Sequence, residues 1–246
     1  MATVCQNAVN SQFQEVCFTE HFTLNPLVAT YGHLSWPFYN SEIARCRAMF
    51  AGQLLVRQGV ELCSPQREMS CYQEIFASQP LDYVLGSIHD VGNLKLRILL
   101  RNLGKVQAYS QYFADLLALA EQADIDGIGH LDLIKRYCGE KFSEQDLEHH
   151  GPVIEKILQT MIRRGLVLEI NTSTLGSLKE TMPAENILQL YRSLGGTRIN
   201  FGSDSHSGNS LGKGFAHAVD LARRCGFETF RTFERRVGRE WPLLPD

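Results

Sequence analysis

Six apolar runs along this chain stop at, or just before, a residue able to ligate a metal ion or act on a substrate. They are Val16-Cys-Phe-Thr-Glu-His21, Gly59-Val-Glu61, Tyr83-Val-Leu-Gly-Ser-Ile-His89, Asp126-Gly-Ile-Gly-His130, Leu166-Val-Leu-Glu-Ile-Asn171 and Asn200-Phe-Gly-Ser-Asp-Ser-His206. Runs this short and apolar suit strands buried on both faces, as in a parallel sheet. A β/α barrel gathers the carboxyl ends of its strands on one face, so residues distant in sequence meet there. The pattern predicts one pocket shared by His21, Glu61, His89, His130, Asp204 and His206. Imidazole and carboxylate without thiolate suit zinc, manganese or iron, and Glu61 is a candidate bridge between two ions.

The strands fall near 15–19, 54–61, 82–88, 125–129, 166–171 and 198–202, with helical patterns between them. Over 107–123, Tyr109, Tyr112, Phe113, Leu116, Leu117 and Ala120 share one helical face. A second helix, 143–165, opens on a capping box, Ser143 with Asp146, and buries Ile154, Ile157, Leu158, Met161 and Ile162. Pro183 suits a first helical turn ahead of Ile187, Leu188, Tyr191 and Leu194, and Gly195-Gly196 ends that unit. The last unit, 211–225, also stops at a glycine, Gly226. The aromatic stretch Gly32 to Asn40 reads as a packed surface loop beside the first strand end, with a lid as the alternative.

Strands alternating with helices imply an α/β protein with a parallel sheet, and no Gly-rich phosphate fingerprint follows the first strand. A closed or nearly closed β/α barrel fits better than a doubly wound nucleotide-binding sheet. No linker or repeat interrupts residues 1–246, so one domain is expected.

Composition narrows the partners. The net charge of −3 marks no general nucleic-acid or anionic-membrane surface. Seven cysteines without a C-x-x-C pair argue against a disulfide framework or a cysteine–zinc site, which fits a reducing cytoplasm. No run reaches the roughly 18 apolar residues of a membrane span. The first residues lack the regions of a signal peptide, so a soluble, unprocessed chain is expected.

Other polar residues carry two readings each. His149-His150 reads as solvated helix surface, and His33 and His217 carry no motif. Glu169 and Asn171 point to one side of their strand and read either as partners of ligands and substrate or as caps on backbone groups. Lys135, Arg136 and Lys179 are candidate phosphate-holding cations or plain surface.

At these residues the chain resembles the polymerase and histidinol phosphatase (PHP) superfamily, and within it the histidinol-phosphatase branch. The matches, in family order, are Phe18-Thr-Glu-His21, Gly59-Val-Glu61, Asp82-Tyr-Val-Leu-Gly-Ser-Ile-His89, Gly129-His-Leu-Asp-Leu-Ile-Lys135, Leu168-Glu-Ile-Asn-Thr172 and Gly202-Ser-Asp-Ser-His206. The resemblance implies an irregular barrel of seven β/α units, a site of up to three divalent ions, and hydrolysis of L-histidinol phosphate in histidine biosynthesis. The family's first strand carries His-x-His; here no histidine precedes His21, so that strand is expected to be missing.

By the family layout, only the set Glu61, His89 and His130 is complete, which implies about one fully liganded ion. Glu61 and Asp204 lack two histidines, and His21 with His206 lacks one further ligand. Glu61, Asp204 and His206 are the expected catalytic residues; Lys135, Arg136, Asn171 and Lys179 are expected to hold a small phosphate ester. The rivals are a catalytically impaired metal-binding homologue and a nuclease-like phosphodiesterase. An uncovered first strand edge is expected to promote self-association.

Overall fold

The computed structural model describes residues 1–28 and 30–243. The chain runs α1 (Ala2–Asn10), β1 (Glu15–Phe22), α2 (Trp36–Met49), β2 (Leu55–Cys63), α3 (Met69–Phe76) and β3 (Tyr83–Ser87). A short hairpin, β4 (Asp90–Val91) and β5 (Leu94–Lys95), leads into α4 (Leu96–Gln122), then β6 (Gly127–Ile128), α5 (Ile134–Cys138) and α6 (Glu144–Arg164). The rest is β7 (Val167–Asn171), α7 (Glu185–Ser193), β8 (Ile199–Gly202), α8 (Phe215–Arg224) and a hairpin of β9 (Thr229–Glu234) and β10 (Val237–Pro242). Six strands form one parallel sheet in the order β1-β2-β3-β6-β7-β8. It curls into part of a barrel, and among the described residues β1 and β8 are its edges.

The six strand readings hold, because each strand is short, apolar and bounded by a turn residue. Register then does the positioning: His21 pairs with Glu61 across β1 and β2, and Asn171 pairs with Gly202 across β7 and β8. Two aspartates at the opposite, amino-terminal ends of the strands tie neighbours together. Asp82 accepts from Gln58 N at 2.9 Å, and Asp126 accepts from Val84 N at 2.8 Å.

The helices cover the sheet as their periodicity predicts. Tyr109, Tyr112, Phe113, Leu116 and Ala120 of α4 and Ile154, Ile157, Leu158 and Met161 of α6 are buried in the main core, with Leu117 and Ile162 packed at its margin. The Ser143–Asp146 capping box is present. Helix α4 starts earlier than periodicity alone indicates, at Leu96, with a break at Gly104 (φ +73°), whose conformation suits glycine.

Two expectations are corrected. Residues 36–40 are the first turns of α2, not loop: Pro37 lies at the helix start, where a missing N–H costs nothing, and Tyr39 is buried with its hydroxyl against Gly59 O at 2.7 Å. His150 is core rather than solvated surface, packed between the rings of Tyr109 and Phe113 at 5.6 and 5.7 Å, while His149 is exposed. The β9–β10 hairpin was not foreseen.

That hairpin crosses the amino-terminal mouth of the sheet. Phe230 meets Phe201 at 5.6 Å and Phe233 meets Tyr83 at 4.7 Å. Glu234 pairs with Arg57 at 3.0 Å. The Arg235 amide donates to Asp82, and Arg236 bridges Asp124 and Asp126.

Candidate metal centre

Each strand delivers its polar residue at the carboxyl end of the sheet. Gly59 lets β1 and β2 approach closely, since a Cβ there would fall 2.9 Å from Phe18 O. Glu61, two residues on and buried, is ringed by imidazoles. His130 Nε2 lies 2.9 Å from its Oε1, His89 Nε2 3.3 Å from the same oxygen, and His21 Nδ1 3.4 Å from Oε2. Ring centroids of His21 and His89, and of His89 and His130, are both 5.2 Å apart.

Asp204 and His206 follow β8, with His206 Nδ1 3.7 Å from Asp204 Oδ1 and its ring 6.2 Å from that of His21. The structure thus brings all six residues to one end of the sheet. It draws His21 against Glu61, whereas the family layout pairs His21 with His206 on a separate ion.

The electrostatics follow from this crowding. Burial opposes the charged form of Glu61, yet the fields of His89, His130 and His21 outweigh it and hold the carboxyl well below its usual range. Burial pushes His89 down to about 4 despite the Glu61 charge. His130 is buried too, but its contact with Glu61 prevails and lifts it to about 9.

The donor set fits a divalent ion. One ligand atom from each of His21, Glu61 and His89 lies within 4.8 Å of the others, and a carboxylate facing three imidazoles is the chemistry zinc-type ions take. Among the described residues, His21 Nδ1 and His130 Nδ1 are buried without a hydrogen-bond partner.

A cavity of about 450 Å³ opens beside the cluster, and its lining includes His21, His89, Asp204 and His206 together with Arg136, Tyr137, Leu96 and Ile98. Arg136 donates to Asp204 Oδ2 at 2.8 Å and to Ser173 Oγ. Arg136 is itself one of the residues that line the cavity.

The other three substrate-holding expectations are corrected. Lys135 is wholly buried, with its ammonium 2.7 Å from Asp132 and bonded to Glu180 and Thr181 O, so no donor remains for phosphate. Asn171 is buried, donating to Glu169 and accepting twice from Ser173. Lys179 is exposed and does not line the cavity. Ser173 was missed, its only signal being a hydroxyl two residues past a strand end.

A curled parallel β/α sheet with imidazoles and a carboxylate massed at its carboxyl ends is the arrangement of an α/β-barrel active site whose donor set suits a divalent ion. A PHP-domain model matches residues 1–173. The chain is 31% identical over 248 residues to a probable histidinol-phosphatase of Deinococcus radiodurans, covering 94% of this chain and 89% of that one. It is 30% identical over 228 residues to a probable histidinol-phosphatase of Clostridium acetobutylicum, covering 90% and 86%. The crystal structure of a Lactococcus lactis histidinol phosphate phosphatase, complexed with zinc, L-histidinol and phosphate, superposes with a TM-score of 0.86 over 96% of this chain and 91% of that one, at 24% identity. The chain belongs to the PHP family.

Proposed function

We propose that this protein is a metal-dependent phosphomonoesterase that converts L-histidinol phosphate and water into L-histidinol and phosphate. The observation that carries the reading is Glu61, ringed by His21, His89 and His130 beside a cavity that also receives Arg136. The curated relatives named for that reaction support the substrate.

Glu61, His89 and His130 would hold one divalent ion, zinc, manganese or iron, with His21, Asp204 and His206 completing the shell of any further ions. When bound, such an ion would supply activation of water and neutralisation of charge on the phosphate. Arg136 orients the phosphate: its planar fork suits two oxygens, and Asp204 and Ser173 fix its direction. His206, with its side chain 75% exposed at the cavity beside Asp204, would complete the shell of a further ion from the solvent side. The apolar wall of Leu96, Ile98 and Tyr137 takes the organic part of the ester. No helix of the described residues is long and apolar enough to cross a membrane, which fits a one-domain cytoplasmic enzyme of amino-acid biosynthesis.

The test is phosphate release from L-histidinol phosphate, a generic aryl phosphate and a short single-stranded DNA, with Zn²⁺ or Mn²⁺ added. The reading expects histidinol phosphate to give the highest kcat/KM. Preferential cleavage of DNA, or no metal-stimulated release from any substrate, would overturn it.

A further inference from the structure

Glu169 lies on β7, buried between the ends of β6 and β8, and belongs to neither the imidazole ring around Glu61 nor the cavity wall. Its Oε2 accepts two hydrogen bonds, from the His130 backbone N–H at 2.8 Å and from Asn171 Nδ2 at 3.0 Å. His130 has a left-handed backbone, φ +28°, which a residue with a side chain holds only where its surroundings fix it. The Glu169 contact supplies that constraint at the residue whose Nε2 sits 2.9 Å from Glu61.

A hydrogen-bonded path with one consistent direction leads the other way. Arg136 donates to Ser173 Oγ, Ser173 Oγ donates to Asn171 Oδ1 at 2.7 Å, and Asn171 Nδ2 donates to Glu169. The neighbouring strands leave room for the carboxylate. A Cβ at Gly202 would fall inside it, and one at Gly129 would stand 3.3 Å from Oε2. An apolar side chain would fill this space without the cost of burying a carboxylate, so the acceptor serves its two donors.

We propose that Glu169 is a positioning residue whose single carboxylate oxygen sets both the aim of His130 at Glu61 and, through Asn171 and Ser173, the station of Arg136 over the cavity. The inference rests on the metal-dependent phosphomonoesterase reading. It makes the ion-holding and phosphate-holding halves of the site depend on one buried atom. Reach, rather than charge, is the property that matters.

Two conservative variants separate reach from charge. Glu169→Gln keeps an acceptor oxygen at the same distance without the charge, and Glu169→Asp keeps the charge but withdraws the oxygen. Zinc affinity is read by competition with a chromogenic chelator, with circular dichroism melting to establish that each variant folds. Glu169→Gln is expected within about threefold of wild type and Glu169→Asp about 10–100-fold weaker, the usual loss when a ligand's support is removed. Ser173→Ala should leave zinc affinity unchanged and raise KM for histidinol phosphate about fivefold, the effect of one lost hydrogen bond.

Wild-type zinc affinity in Glu169→Asp, or a Gln variant as weak as the Asp variant, would overturn the proposal; an unchanged KM in Ser173→Ala would overturn its Arg136 half. The zinc measurements need no substrate. A chain that holds zinc but releases no phosphate would therefore count against the phosphatase reading alone.

Discussion

Glu61 is a buried carboxylate facing three imidazoles, and that grouping makes the metal contribution of each side chain separable. His89→Ala removes a ligand from the proposed complete set and should reduce bound zinc, measured by elemental analysis after gel filtration, to near zero. His206→Ala, at the exposed mouth, should change it little. A second prediction concerns His150, which burial keeps below its ordinary 6.5 in the folded state. The unfolded chain then binds the proton more tightly, so stability is full above about 6.5 and falls as pH drops from there toward the folded-state value. His150→Phe should flatten that part of the stability–pH curve, measured by urea unfolding between pH 7.5 and 5. The ligand residues were legible because each sits at the end of its own strand, a local pattern. Lys135 was misread because its pairing with Asp132 three residues back looks the same on a solvated helix, while the partners that close it off, Glu180 and Thr181 O, lie 45 and 46 residues on.

Among the elements, the β9–β10 hairpin shows why a strand pair can escape detection. A two-residue hairpin turn of type I′ needs positive φ at both central positions, a conformation usually marked by Asn-Gly. Here the pair is Arg235-Arg236, with φ of +50° and +64°, so the usual signal is missing. Tertiary bonds hold the turn instead: Asp82 takes the Arg235 amide, and Asp124 and Asp126 take the Arg236 guanidinium. Burial alone would raise the Asp126 carboxyl, and its bonds to Arg236 and Val84 counter this only in part. Arg236→Ala, which leaves that carboxylate without its cation, should cost about 2 kcal/mol and lower Tm by about 4–8 °C for a chain this size. Arg235→Gly relieves the backbone and keeps the amide bond, so it should stay within about 1 kcal/mol of wild type. Equal losses in the two variants by calorimetry would show that the turn backbone, not the aspartate pairing, fixes the hairpin. Sequence did reveal the six parallel strands and the α4 and α6 faces, since periodicity and capping there are properties of a few consecutive residues.

At the scale of the whole molecule, the parallel sheet has β1 and β8 as its edge strands among the described residues. Helix α1 and the 208–215 segment meet beside the β1 side, where Phe13 contacts Phe215 at 5.6 Å. A strand edge not paired along its length offers N–H and C=O groups to another chain, and a net charge of only −3 does little to keep copies apart. Sedimentation velocity across a hundredfold concentration range should therefore show reversible self-association; a single monomeric species throughout would remove that expectation. The curled sheet matters to function because it alone brings residues from position 21 to position 206 onto one cluster. The central claim is that this cluster holds the ion on which phosphate release depends, and a zinc titration of the metal-stripped protein tests it most directly. Release of phosphate from L-histidinol phosphate should rise with bound zinc and level off at a defined stoichiometry in the wild type, and stay flat in His89→Ala. Turnover that ignores the added metal, or that is equal in the two proteins, would contradict the account.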